Sequence, residues 1–128
     1  MANFFDFISR IFISSIFLFS GYNKIFNYEN AIEWMEGFNI PGFLLWPTII
    51  LEIILPILII IGYRTQISAL LLAMFCVATA VIFHLDFANQ MQTIAFLKNF
   101  ALAGGFLFIA VHGPKEWSME RKKKYVRL

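Results

Sequence analysis

The chain has 128 residues, of which 60% are apolar and 14% charged, whereas a soluble domain carries about 25% charged residues. The mean hydropathy of +0.75 and the 16 Phe residues exclude a small soluble domain and a disordered or low-complexity chain. The composition predicts an integral membrane protein with a single domain over residues 1–128. Cys76, the one cysteine, permits no intrachain disulfide and no cysteine-based metal site, and the net charge of +2 is small.

Four stretches are apolar and long enough to cross a hydrocarbon layer about 30 Å thick, which takes about 20 helical residues. They cover residues 4–22, 43–62, 67–83 and 93–111. The stretches lack the period-two alternation of membrane β-barrel strands and are too long for them. We therefore predict an all-α fold in which four transmembrane helices form a bundle.

The orientation in the membrane follows from the distribution of Lys and Arg. Eight of the ten lie on the side that holds both termini, and only Lys24 and Lys98 lie toward the opposite side. Because short cytoplasmic connections are enriched in these residues, both termini are predicted to be cytoplasmic. The connections near residues 23–42 and 84–92 then face outward.

Two connecting segments have interpretable patterns. In residues 30–37, apolar side chains share one helical face and glutamates another, which predicts a short amphipathic helix on the membrane surface that ends at Gly37. The tail, residues 112–128, contains the run Arg121-Lys122-Lys123-Lys124. This run predicts contact with anionic membrane lipid and a role as topology anchor, and no nucleic-acid partner is expected.

Small residues on the last two spans predict close helix packing, because helices in lipid approach each other through such residues. The set comprises Ala69, Ala73, Cys76 and Ala80 on the third span, and Ala101, Ala103, Gly104 and Gly105 on the fourth. Pro56 in the second span removes one backbone donor a turn away from Glu52, which leaves the Glu52 carbonyl without that bond and favours a kink.

Charged residues inside the spans need compensation, since each costs about 2.5 to 3.5 kcal/mol near the bilayer centre. Glu52 lies about 15 Å from the edge marked by Gly62, near the midplane. Arg10 lies about 9 Å inside the same edge and Lys98 about 7 to 8 Å inside the other, so either cation can pair with Glu52. His84 lies at a depth similar to that of Lys24.

Three interpretations of these polar residues remain open. An ion pair between Arg10 and Glu52 would fix the register of the helices. Lys98 would extend toward the nearer membrane surface. Alternatively, Glu52, Lys98 and His84 line a cavity as proton-handling or hydrogen-bonding groups.

Several chemistries are excluded by the sequence pattern. His84 and His112 are predicted on opposite membrane faces, so they share neither a metal ion nor a haem, and no metal site is expected. Nucleotide, flavin and dithiol motifs are absent, so no intrinsic cofactor is expected. A redox role would require a partner subunit or a borrowed quinone, held by donors such as Lys98 or His84 in the Phe-rich interior.

The order of the polar motifs resembles the DoxX family from about residue 5 to 112. The resemblance rests on Arg10, Ser20-Gly21-Tyr22-Asn23-Lys24, Pro41-Gly42, Glu52, Gly62-Tyr63-Arg64-Thr65, Phe83-His84, Gln92, Phe96-Leu97-Lys98-Asn99 and Ala101-Leu102-Ala103-Gly104-Gly105. It implies a small four-helix, multi-pass protein of the bacterial cytoplasmic (inner) membrane.

The resemblance also implies a function and a site. Family members are linked to a thiosulfate:quinone oxidoreductase and to resistance to quinones, catechols or oxidative stress. The implied function is an accessory subunit or quinone-binding protein in membrane redox or detoxification; whether it catalyses a reaction stays open, at most as an oxidoreductase subunit. The alternative is a non-enzymatic membrane scaffold or a small-molecule binding or transport element.

The expected partners are membrane lipids, a redox subunit and a second copy of the chain. The family's recurring polar positions give these ligand or proton-handling candidates: Arg10, Lys24, Glu52, His84, Lys98 and Asn99.

Overall fold

The structure, a computed structural model, describes residues 1–120 and is all-helical over that range. Its helices are α1 (Ala2–Phe26), α2 (Tyr28–Gly37), α3 (Leu45–Ile61), α4 (Thr65–Phe83) and α5 (Gln90–His112), and a 3-10 helix, Gly42–Leu44, leads into α3. Four segments are long and apolar enough to cross a membrane: α1, α3 with its 3-10 helix, α4 and α5. The predicted all-α fold with four spans is confirmed.

Consecutive long helices pack side by side in the order α1, α3, α4, α5, with the closest association between α4 and α5. Helices α1 and α5, at the two ends of this order, touch at only a few residues. The bundle has two unlike ends. We call the end with the N-terminus, the α3–α4 turn and residues 113–120 the terminal end, and the opposite end the α2 end.

The α4–α5 interface is built from small side chains, as predicted. Ala69, Ala73, Cys76 and Ala80 of α4 are all buried. On α5, however, the buried residues are Ala103, Phe106 and Ala110. The expectation for Ala101 and Gly104 was wrong: Ala101 is exposed, and a Cβ on Gly104 would meet no atom within 4 Å, because these residues lie on the outer face of the helix.

Residues 113–120, here called the C-terminal segment, fold back onto the α3–α4 turn. The backbone N–H groups of Met119 and Glu120 donate to the carbonyls of Ile61 and Gly62, at 2.9 and 3.1 Å. Gly62 ends α3 with φ +74°, and a Cβ there would overlap the Ser118 side chain. Only glycine therefore combines this left-handed backbone with so close an approach.

At the α2 end, α2 lies beside the ends of the long helices. Its existence and its end at Gly37 were predicted correctly, since the helix covers Tyr28–Gly37. The rings of Trp34 and Phe38 contact Phe83 at the end of α4, with centroids 6.3 and 5.0 Å apart. Which side of the membrane each end faces stays a prediction, and the basic run at residues 121–124 lies outside the described residues.

Candidate functional site

A cavity of about 520 Å³ opens at the α2 end of the bundle. Every helix contributes to its lining. The aromatic walls are Phe17, Trp34, Phe75 and Phe83. Its polar groups are Ser20, Asn23, Lys24, Asn27, Asn30, Thr48, Glu52, Thr79, His84 and Asn99.

An ion pair between the partly buried Lys24 and the buried Glu52 forms the charged part of this lining. Lys24 Nζ lies 2.9 and 3.0 Å from the two Glu52 carboxylate oxygens and 2.7 Å from Ser20 Oγ. The Glu52 side chain is 4% exposed and that of Lys24 is 27% exposed. Gly21 makes the approach possible, because a Cβ there would lie 2.8 Å from Ile53 Cγ1 and 3.4 Å from Glu52 Cβ.

The partner of Glu52 differs from both predicted cations. Because α1 continues to Phe26 instead of ending near Tyr22, Lys24 occupies its last turn. Side chains on a helix lean toward its N-terminus, so Lys24 extends from the α2 end into the bundle and reaches Glu52.

Arg10 does not pair with Glu52, so the predicted register-fixing ion pair was wrong. Arg10 Nη1 donates to the carbonyls of Ile59 and Ile60 at 2.9 and 2.6 Å, and Nη2 donates to that of Trp117 at 2.6 Å. Its Nε contacts Asp6 at 3.1 Å. Because side chains lean toward the helix N-terminus, the Arg10 side chain extends to the terminal end. Its acceptor Ile59 lies about 10 Å from Glu52 along the axis of α3.

Lys98 also lies outside the cavity. It is exposed on α5 and makes no hydrogen bond or ion pair with any residue in the range 1–120. Because α5 begins at the α2 end, the lean of its side chains points Lys98 toward that membrane surface. The placement favours the membrane-surface interpretation over the cavity-lining one.

His84 and Asn99 both line the cavity. His84 Nδ1 lies 2.7 Å from Gln92 Oε1. Asn99 Nδ2 donates to Thr79 Oγ1 at 3.4 Å, and the Thr79 hydroxyl donates to the carbonyl of Cys76 at 3.1 Å. Four of the six sequence candidates therefore line this cavity: Lys24, Glu52, His84 and Asn99. Lys24 and Glu52 form its ion pair.

Sequence reasoning missed several lining residues that carry a recognisable pattern. The missed residues Ser20, Asn23 and Asn27, together with the candidate Lys24, recur at positions i, i+3, i+7 and i+4, which is the spacing of one helical face. That polar stripe indicates a helix that continues past the apolar run. Thr48 and Thr79, by contrast, are single hydroxyls in apolar helices and give no such signal.

Within residues 1–120, no three His, Cys, Asp or Glu side chains come together as metal ligands. The cavity thus offers amides, hydroxyls, one imidazole and one ion pair on an aromatic background. Groups of this kind orient a small organic ligand by hydrogen bonds while apolar surface holds it.

The chain is similar to known bacterial membrane proteins over most of its length. It is 36% identical to the inner membrane protein YqjF of Escherichia coli K12 over 89% of this chain and 88% of that protein. It is 31% identical to the inner membrane protein YphA of the same organism over 90% of this chain and 87% of that protein. No solved structure matches it significantly.

These relatives and the four spans confirm the predicted location, a multi-pass protein of the inner membrane. The family model named DoxX matches residues 5–85, which include α1 to α4 and the Lys24–Glu52 pair. The chain belongs to the DoxX family of integral membrane proteins.

Proposed function

We propose that this protein binds a quinone or a related small redox ring in the cavity at the α2 end and thereby serves quinone-linked redox chemistry or detoxification. The observation that supports this most is the lining: aromatic walls around a partly buried Lys24–Glu52 pair in a volume of about 520 Å³. Small-molecule sites typically enclose about 300 to 1,000 Å³ and combine apolar walls with a few polar groups.

The packing of α1 against α5 favours a ligand that is soluble in lipid. These helices approach each other at Ile13 and Gly105, and the rings of Phe17 and Phe106 lie 5.5 Å apart. The cavity lining beyond them includes Ile16, which is 50% exposed. A ring compound dissolved in the bilayer would enter between these two helices.

The proposed role of the chain itself is to hold and orient the ring. Its sequence has no flavin, nucleotide or dithiol motif, so electrons for a redox step would come from a partner subunit with its own cofactor. The Lys24–Glu52 pair would fix the polar edge of the ring, and the Phe75 and Phe83 rings would pack against its face.

The test is mass spectrometry of the protein extracted in native-lipid nanodiscs, with the unaltered chain compared with Glu52→Gln. We expect a quinone-class molecule to be retained by the unaltered chain and reduced at least several-fold in the variant. Glu33→Gln is the matched control, since Glu33 is exposed on α2 and lies outside the cavity lining.

The same spectra report on partners. A co-purified subunit with a flavin or metal supports a role within a redox complex, and a ligand without any subunit supports an independent binder. A folded unaltered protein that retains no ring compound, from native membranes or after addition of one, contradicts the proposal.

A further inference from the structure

Helices α1 and α5 run antiparallel and approach each other closely near the middle of the bundle. A Cβ on Gly105 would lie 2.7 Å from Ile13 Cδ1, so the two helices are in contact there. From this contact the α2 end is reached by going forward along α1 and backward along α5. Seven residues away, Ser20 on α1 and Lys98 on α5 therefore lie at the same level, about 10 Å nearer the α2 end.

Lys98 lies on the side of α5 that faces α1. At about 100° per residue, it is offset around the helix by about 20° from Gly105 and by about 40° from Leu102. Gly105 contacts α1 and Leu102 lines the cavity. Lys98 on the same side is exposed, so α1 no longer covers α5 at its level. The helices thus leave a lateral opening between the cavity and the membrane, with Lys98 at its edge.

The polar groups around this opening include hydrogen-bond donors without an acceptor. Lys98 Nζ has no partner within residues 1–120. Asn23 accepts from Asn27 Nδ2 at 2.8 Å through its Oδ1, and its own Nδ2 donates to none of these residues. The side-chain amide of Asn30, also in the lining, makes no hydrogen bond within this range either. The opening thus offers one positive charge and several free N–H groups.

The donors on α1 and α5 lie at a similar depth. Asn23 is three residues past Ser20, about 4.5 Å nearer the α2 end. The Lys98 side chain leans in the same direction, toward the N-terminus of α5. Glu52 is the one carboxylate in the described lining, and Lys24 compensates its charge. The opening therefore favours an anion with several acceptor oxygens, at the depth where the apolar run of α1 ends.

We infer that this lateral opening binds the phosphate of an anionic phospholipid. The phosphodiester oxygens accept from Lys98 and Asn23, and the acyl chains lie along the apolar seam between α1 and α5, where Ile16 is 50% exposed. A phospholipid fits better than a free phosphate ion, because the opening faces the hydrocarbon layer and basic side chains at a membrane surface attract anionic lipid. The inference does not depend on the proposed ring ligand, since Lys98 lies outside the cavity lining.

The experiment is photolabelling of the full chain in phosphatidylcholine vesicles by trace lipids that carry a diazirine on the acyl chain next to the glycerol. One probe has the anionic phosphatidylglycerol headgroup, and the matched probe has the phosphatidylcholine headgroup, which has no net charge. Mass spectrometry of peptides locates the label. In residues 13–23 and 98–105 we expect about fivefold more label from the phosphatidylglycerol probe, the effect of one basic side chain near an anionic lipid.

Four variants assign this ratio to particular groups. Lys98→Gln removes the charge and should lower the ratio to about twofold or less, whereas Lys98→Arg should keep it. Asn23→Asp keeps the acceptor for Asn27 but replaces the N–H donor with a negative charge, so it should also lower the ratio. Lys115→Gln removes an exposed cation at the terminal end and should leave the label at the opening unchanged.

The outcomes identify the occupant of the opening. Equal labelling by the two headgroups, or an unchanged ratio in Lys98→Gln, overturns the inference and indicates ordinary contact with the surrounding lipid. Suppression of the phosphatidylglycerol label by millimolar inorganic phosphate assigns the opening to a soluble ion and also overturns it. An equal drop in Lys98→Gln and Lys115→Gln contradicts a site at this place, because the effect would then follow from net charge alone.

Discussion

The two ends of the bundle each contain a cation with a different set of partners, buried at the terminal end and partly buried at the α2 end. At the terminal end Arg10 binds three backbone carbonyls and Asp6, so its guanidinium joins α1, α3 and the C-terminal segment. At the α2 end Lys24 binds a carboxylate and a hydroxyl beside a cavity. Arg10 therefore ties three segments of the fold together, whereas Lys24 and its carboxylate partner line the cavity that is proposed to hold a ligand.

The largest expected effect is at Arg10. Arg10→Met leaves the carbonyls of Ile59 and Trp117 and the Asp6 carboxylate without their partner, so we expect a loss of about 3 to 5 kcal/mol in unfolding free energy. Unfolding by SDS titration from mild detergent measures it. Lys115→Met, an exposed cation at the same end, is the control and should stay within about 0.5 kcal/mol of the unaltered chain. A similar small loss for both would contradict the structural role of Arg10.

A second, smaller effect is expected where the C-terminal segment meets the α3–α4 turn. Gly62→Ala introduces a side chain into a left-handed backbone and places its Cβ 2.9 Å from Ser118 Cα. We expect a loss of about 2 to 4 kcal/mol from backbone strain and crowding together. Gly37→Ala is matched to it, since nothing lies within 4 Å of that position. Limited proteolysis after residue 112 should accelerate only in Gly62→Ala, and equal rates would show that the segment is not held there.

The Lys24–Glu52 pair comes third. In a double-mutant cycle of Lys24→Met and Glu52→Gln, each single change leaves one partner unsatisfied, while the double change removes both charges. We therefore expect the double variant to lose less stability than the sum of the single variants, with a coupling of about 1 to 3 kcal/mol. Additive losses would indicate that the two side chains do not interact in the membrane.

The smallest effect is expected at Lys98. Because its side chain is exposed and outside the cavity lining, Lys98→Gln should change unfolding free energy by about 0.5 kcal/mol or less. Retention of a quinone-class ligand in native-lipid nanodiscs should also be unchanged. A marked loss of ligand in this variant would instead support the sequence-based prediction that Lys98 lines the cavity.

The number of spans could be predicted from the sequence because a membrane imposes a minimum apolar length on each helix. The ends of the helices could not be predicted in the same way. The apolar sequence marks the residues that lie in the hydrocarbon layer, whereas a helix ends where its backbone hydrogen bonds end. The helix α1 continues through Asn23 and Lys24, where the apolar run has already stopped. Because the predicted helix was one turn too short, Lys24 was not predicted as the partner of Glu52.

Helix faces were predicted with mixed success for a related reason. In lipid, outward and inward residues are equally apolar, so only small residues indicate contact. They indicated the buried face of α4 correctly and that of α5 only in part, since Ala103 is buried but Ala101 and Gly104 face outward. Long side chains lean toward the N-terminus of their helix, so the direction of each helix predicts toward which end its cation extends. This rule distinguishes Arg10 from Lys24 and Lys98.

The contact between Arg10 and Trp117 also has a consequence for biosynthesis. The two residues are 107 positions apart, so Arg10 enters the membrane long before its last acceptor has been synthesised. A chain released or cut before residue 117 would leave one nitrogen of a buried guanidinium without that acceptor. The Arg10 contacts at the terminal end are therefore completed only after the chain has been synthesised through Trp117.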